Sequence, residues 1–306
     1  MTDSFQFRGI YTPLVTPFDN HGKICFETLA DLIEDLITCG VHGVISGGST
    51  GENYALTIDE RIEVARFTHA CVRRRVPVVV GTGAMLTTDS LALATAARAM
   101  GADAILLASP PYAVPTDSEN AKNALAIDAA AGLPVMLYNY PHRTGTMMGR
   151  MFLDIVTRHP NFCGIKESSG DINRLHLLAN DYPQIQLGCG MDDQALEFFA
   201  WGAPFWVCGG SNFLPREHIA LHHACMIDGD FARGRRIMSA LMPLMNALEQ
   251  GGKFIQTIKY GVTVNGRNAG GVRPPLDGLT DDERAGLDAI MSDIKGAFAA
   301  MSENAA

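Results

Sequence analysis

The 306-residue chain is short of positive charge: 24 Lys and Arg stand against 33 Asp and Glu, a net charge of −9 with His neutral. No Lys/Arg stripe runs through it, and the longest basic run is Arg73-Arg74-Arg75. An acidic chain repels phosphate backbones, which excludes nucleic acid as the expected partner. Long apolar runs are missing as well. The least polar stretch, Phe198 to Gly210, is too short to span a bilayer and contains Pro204, so no membrane segment is expected. Met1 to Arg8 carries an acidic residue and no apolar h-region, so no secretory signal is expected. The seven cysteines are odd in number, scattered, and never spaced Cys-x-x-Cys. They read as reduced core cysteines of a cytoplasmic protein. Low-complexity segments are absent too, and at 47% hydrophobic residues the chain has ample apolar surface to offset chain entropy.

What the sequence does have is alternation. Short apolar, β-branched runs recur at Gly43–Ser46, Pro77–Val80, Ala104–Leu107, Pro134–Leu137, Phe162–Ile165, Ile185–Leu187 and Phe205–Val207, with an eighth in Gly9–Pro17. Segments of helical period lie between them, such as Phe26-Leu29-Leu32-Ile33-Leu36. Eight such units predict an α/β chain folded as a closed (β/α)8 barrel of the TIM type. Gly40, Gly101 and Gly202 follow helices and precede strands, the expected place for a left-handed cap. Past about residue 225 the strands stop. Phe231–Leu248, Phe254–Val262 and Asp281–Met301 read as helices, giving a catalytic barrel over 1–225 and a helical extension over 226–306.

Barrel chemistry sits at strand ends. The second strand runs into Gly47-Gly48-Ser49-Thr50-Gly51-Glu52. Glycines there let backbone N–H groups approach a ligand and the hydroxyls add donors, which suits a carboxylate or phosphate. The alternative is a plain glycine-rich turn. It is no P-loop, since no Lys follows the last Gly, and Gly81-Thr82-Gly83-Ala84 lacks the third Gly of a dinucleotide fingerprint. The fifth strand ends at Tyr138, and Arg143 follows, either a bidentate carboxylate clamp or a solvated loop charge. The sixth ends in Gly164-Ile165-Lys166-Glu167. A Lys in an apolar strand is rarely buried unless paired, and burial of an amine favours its neutral, nucleophilic form. A salt bridge to Glu167 is the alternative, but neighbouring strand residues point to opposite faces.

Taken together, Gly47 to Glu52, Ser109-Pro110-Pro111-Tyr112, Tyr138 to Gly145 and Gly164 to Gly170 resemble the dihydrodipicolinate synthase/N-acetylneuraminate lyase family of class I aldolases. The resemblance runs from Gly9 to about Gly278. It implies a Schiff base between Lys166 and pyruvate or a 2-keto acid, with no organic cofactor and no metal. It implies that Tyr138 shuttles protons and that Ser49 and Thr50 hold the keto acid carboxylate. Thr50 would also join a relay with Tyr112 from a neighbouring subunit of a homotetramer, and Arg143 would hold the carboxylate of a second substrate.

Signals for the individual member conflict. Arg143-Thr144-Gly145 is similar to the synthases. Gly48-Ser49-Thr50-Gly51, Pro111 before Tyr112, and Gly251-Gly252-Lys253-Phe254 in place of an Asn-Pro-x-Pro-x-Lys segment are more similar to sugar-acid lyases. In the loop Gly190-Met191-Asp192-Asp193, Gly190 is expected against the substrate. Asp193 falls where sialic acid lyases carry an acidic residue that accepts hydrogen bonds from a polyol; a helix N-cap is the alternative. The expectation is an aldolase or dehydratase for a 2-keto-3-deoxy sugar acid or related hydroxylated keto acid. The alternative is 4-hydroxy-tetrahydrodipicolinate synthase, condensing pyruvate with aspartate semialdehyde. A barrel that binds keto acids without turnover is the remoter one. His218 and His222 lie four apart on a predicted helix but lack a recognisable third ligand, so they read as a solvated face.

Overall fold

The computed structural model describes residues 5–303. Residues 1–4, where the stretch read for a signal begins, and 304–306, the end of the expected extension, lie outside it. Eight parallel strands close into a barrel in sequence order: β1 (Gly9–Pro13), β2 (Gly43–Ser46), β3 (Val78–Gly81), β4 (Ala104–Ala108), β5 (Val135–Asn139), β6 (Phe162–Glu167), β7 (Gln186–Cys189) and β8 (Phe205–Val207). Strand β8 pairs back onto β1. Three predicted starts were one residue early, at Pro77, Pro134 and Ile185; at the two prolines the reason is that proline has no N–H to give the ladder. Their carbonyls still accept the N–H groups of Val44 and Ile105.

Helices pack around the strands: α1 (Phe26–Cys39), α2 (Ile58–Val72), α3 (Thr87–Met100), α4 (Asp117–Ala131), the short α5 (Pro141–Thr144), α6 (Arg150–Val156), α7 (Ile172–Asp181), α8 (Ala195–Ala200) and α9 (Pro215–His222). Helix α1 presents Leu29, Leu32, Ile33 and Leu36 to the barrel wall and stops at Gly40, whose φ of 91° needs a residue without a Cβ. Capping boxes start α2 at Thr57 and Glu60, and α4 at Thr116 and Glu119.

Among the described residues the apolar side chains form two cores. One lies between strands and helices. The other fills the barrel with Phe7, Tyr11, Ile45, Val79, Leu106, Met136 and Phe205. Room for its aromatic rings comes from small residues: a Cβ on Gly188 would fall 2.1 Å from the Phe205 ring. The barrel is thus plugged below, and its open space lies at the C-terminal ends of the strands.

A π-helical turn at His223–Ile227 leads into the extension, so the boundary expected at 225/226 falls inside that turn. The extension is α10 (Phe231–Glu249), α11 (Phe254–Val264) and α12 (Asp281–Glu303). One expectation fails here. His218 and His222 are buried, not solvated. Helix α9 turns both against the barrel, with the His218 ring 5.1 Å from Trp206 and the His222 ring 5.5 Å from Phe199. The periodicity of α9 carries too little apolar signal to show which face is covered. Among the described residues no group of three or more His, Cys, Asp or Glu could hold a metal ion, and no helix is long and apolar enough to cross a membrane.

Candidate active site

Strand alternation divides Lys166 from Glu167. Glu167 points out of the barrel, where it accepts hydrogen bonds from Asn139 Nδ2 at 2.8 Å and the Ser169 N–H at 2.7 Å, and meets Arg174 Nε at 3.4 Å. Lys166 points inward, 6% exposed, and is free of the salt bridge weighed against it. The β5–β6 register sets Tyr138 directly opposite Lys166. Lys166 Nζ lies 4.2 Å from the centre of the Tyr138 ring, an attractive contact for an ammonium. Tyr138 stacks on Tyr140 with ring centres 5.6 Å apart.

The loop after β2 arrives from the other side. Gly47 takes a φ of 71°, and Ser49–Gly51 form one 3-10 turn. Ser49 Oγ comes 3.4 Å from the Tyr138 hydroxyl, and Thr50 is buried beside it. The chain therefore brings an amine, a phenol and two aliphatic hydroxyls to one cavity of about 500 Å³. Gly190 is in its wall, where a Cβ would fall 2.7 Å from Lys166 Cγ. Arg143 lines the exposed mouth, its guanidinium carbon 5.9 Å from the centre of the Tyr140 ring.

Two expected residues do not line the cavity. Asp193 sits in the 3-10 turn Asp192–Gln194 and faces away; one of its carboxylate oxygens is buried without a partner. It does not cap α8 either, whose N-cap is Gln194. Its neighbour Asp192 takes the inward place because Trp206 Nε1 at 2.9 Å and the Gly209 N–H at 3.1 Å hold its carboxylate. Tyr112 is 90% exposed, with a φ of 70°, and projects from the rim into solvent.

Sequence reasoning also missed residues. Glu249, at the end of α10, is in the cavity wall and accepts the Asp192 N–H at 3.0 Å. Burial pushes both carboxyls above their ordinary range, and the Asp192 charge pushes Glu249 up further, against the opposing field of Lys166. No local pattern marks this pair. Glu52 and Lys259 are buried together at 2.5 Å. Lys259 carried the same signal as Lys166, a lysine in an apolar run, and that reasoning would have found it.

These features can be set beside known proteins. The model of the dihydrodipicolinate synthetase family matches residues 6–294. The chain belongs to that family. Its members are lyases of the class I aldolase type and use a lysine Schiff base with pyruvate. The chain is 33% identical over 292 residues to a 4-hydroxy-tetrahydrodipicolinate synthase of Exiguobacterium sibiricum, covering 95% of this chain and 99% of that one. It is 32% identical to the enzyme of that name from Bacillus subtilis, covering 94% and 100%. Among solved structures, the 4-hydroxy-tetrahydrodipicolinate synthase of Methylacidiphilum fumariolicum superposes with a TM-score of 0.92 at 30% identity, covering 97% and 99%. YagE of E. coli, a protein of the same family solved in complex with pyruvate, superposes with a TM-score of 0.87 at 30% identity, covering 94% and 99%.

Proposed function

We propose that this chain condenses pyruvate with a carboxylate-bearing aldehyde, as a 4-hydroxy-tetrahydrodipicolinate synthase does with aspartate semialdehyde. The observation that carries the reading is the facing of Lys166 and Tyr138 across the β5–β6 pair, beside the hydroxyl loop and with Arg143 at the mouth. The Lys166 amine attacks C2 of pyruvate. The carbinolamine loses water to give an iminium, which draws electrons from the C3–H bond. Loss of that proton leaves an enamine, whose C3 forms the new bond to the aldehyde carbon as the aldehyde oxygen takes a proton. Tyr138 moves these protons as general acid and base, and hydrolysis of the product iminium frees Lys166. Ser49 and Thr50 hold the pyruvate carboxylate against backbone N–H groups, and Gly190 keeps the wall thin enough for Lys166. Arg143 clamps the carboxylate of the aldehyde. Exposed Tyr112 completes the proton relay at a neighbouring site in a cytoplasmic homotetramer. Asp193, off the cavity, has no role against substrate.

The sugar-acid reading keeps one observation in its favour. Phe254, from the segment that departs from the synthase pattern, lines the cavity together with Ile255. One experiment separates the readings. The protein is incubated with pyruvate and borohydride, and the mass of the peptide holding Lys166 is measured. It is then assayed for condensation with aspartate semialdehyde and for pyruvate release from 2-keto-3-deoxy sugar acids. An adduct with condensation is expected. No adduct overturns the aldolase reading; an adduct with pyruvate release alone moves the assignment to the sugar-acid aldolases. An adduct with no turnover in either direction leaves a keto-acid-binding barrel.

A further inference from the structure

In barrel order Lys166 of β6 stands between two polar flanks. Tyr138 of β5 is one of them, and it serves the adduct on the lysine. The other lies past β7 and β8, where Asp192 and Glu249 line the same cavity and the aldol steps give them no task. Hydrogen bonds decide which of the two carboxyls is charged. Both oxygens of Asp192 accept, from Trp206 Nε1–H at 2.9 Å and from the Gly209 N–H at 3.1 Å, and two such donors favour the carboxylate form. Glu249 accepts the Asp192 N–H at 3.0 Å on Oε1. Among the described residues neither carboxyl takes part in an ion pair. A second negative charge beside the first is unfavourable, so the proton settles on Glu249, whose Oε2 is free to carry it. Burial and the charges of Asp192 and Asp193 act on Glu249 in the same direction, opposed by Lys166. Glu249 is thus a neutral acid with an O–H to donate, in the wall of the cavity where the aldehyde reacts. Negative charge develops there on the aldehyde oxygen as the enamine C3 bonds to the aldehyde carbon. A fixed donor meets that charge without reorganising, whereas a carboxylate would repel it. Burial that keeps a carboxyl neutral makes it such a donor.

We propose that neutral Glu249, held in place by Asp192, donates a hydrogen bond to the aldehyde oxygen while the carbon–carbon bond forms, as an oxyanion donor on the flank of Lys166 away from Tyr138. This rests on the aldol reading above and adds a catalytic residue to it: Tyr138 moves the protons, and Glu249 stabilises the oxygen until its proton arrives.

Two rates separate this role from those of Lys166 and Tyr138. Exchange of the pyruvate C3 protons with heavy water, followed by proton NMR, needs the adduct and Tyr138. Condensation with aspartate semialdehyde needs the oxyanion donor as well. The ratio of condensation to exchange should fall about a hundredfold or more in Glu249→Met, the loss of one oxyanion donor. Glu249→Gln keeps an oxygen for the Asp192 N–H and offers an amide N–H at any pH, so it should restore the ratio to within about tenfold of wild type. With rising pH the ratio should fall in wild type, as Glu249 gives up its proton, and stay level in Glu249→Gln. Changes at Lys166 or Tyr138 act on both rates and cancel in the ratio. A ratio unchanged in Glu249→Met, a Gln variant as poor as the Met one, or an alkaline fall that persists in Glu249→Gln each overturns the proposal. Exchange also shows that a variant is folded with Lys166 and Tyr138 in place; should Glu249→Met not fold, the pH profiles of wild type and Glu249→Gln decide alone. Wild-type protein that fails to exchange or to condense overturns the aldol reading instead.

Discussion

A Cβ at position 190 would sit 2.0 Å from Ser168 Oγ and 2.7 Å from Lys166 Cγ. The Ser168 hydroxyl can rotate away, but Lys166 Cγ belongs to the stem that aims the amine, and the Glu167 carbonyl oxygen, 2.9 Å from the same Cβ, is main chain of β6. Gly190→Ala should therefore push Lys166 off its line and slow Schiff-base formation by about a hundredfold, the cost of a misplacement near 1 Å. The rate of borohydride-trapped adduct formation measures this, and an unchanged rate would remove Gly190 from the argument. Lys166 itself was legible in the sequence, since an amine in an apolar strand stands out and alternation separates it from Glu167. The steric reason for Gly190 was not. It depends on where the β7 loop crosses β6, which is a matter of packing.

Among elements, α11 and the loop after β2 are fastened to each other. Glu52, fully buried, ends the turn that carries Ser49 and Thr50, and it meets Lys259 of α11. Lys259 also donates to the Gly271 carbonyl at 2.7 Å, and the Arg273 N–H donates to Glu52 Oε2 at 3.0 Å. Lys259→Met should leave Glu52 as an unpaired buried charge and destabilise the protein by about 3–5 kcal/mol. Chemical denaturation should show a smaller loss for the double variant Glu52→Gln/Lys259→Met than for the single one; equal losses would mean that the pair is not coupled. The strands and the three helices of the extension could be read because their periodicity is local. The fastening could not, because it joins a turn near the second strand to a helix beyond the eighth.

At the scale of the whole molecule, burial of α9 links stability to pH. Burial pushes His218 and His222 down to about 4, from an ordinary value of 6.5. The unfolded chain therefore binds more protons than the folded one between those values. Stability is full above pH 6.5 and is lost as pH falls towards 4, by up to about 3 kcal/mol per histidine. Denaturation midpoints at pH 5 and pH 7 should differ less in His222→Gln than in wild type. An identical difference in the two proteins would rule out His222 as a source of the slope.

The sequence alone determined the order of strands, the closed barrel, the helical tail, and the placing of Lys166, Tyr138 and the hydroxyl loop at strand ends. Each of these follows from near neighbours along the chain: period, turn residues and alternation of faces. Only the tertiary structure decided that Asp192 rather than Asp193 turns inward, that His218 and His222 are covered, and that Glu249 joins the wall from 57 residues away. Those outcomes depend on which surfaces the closed barrel presses together. A carboxylate or imidazole carries no local mark of the partner that will desolvate it.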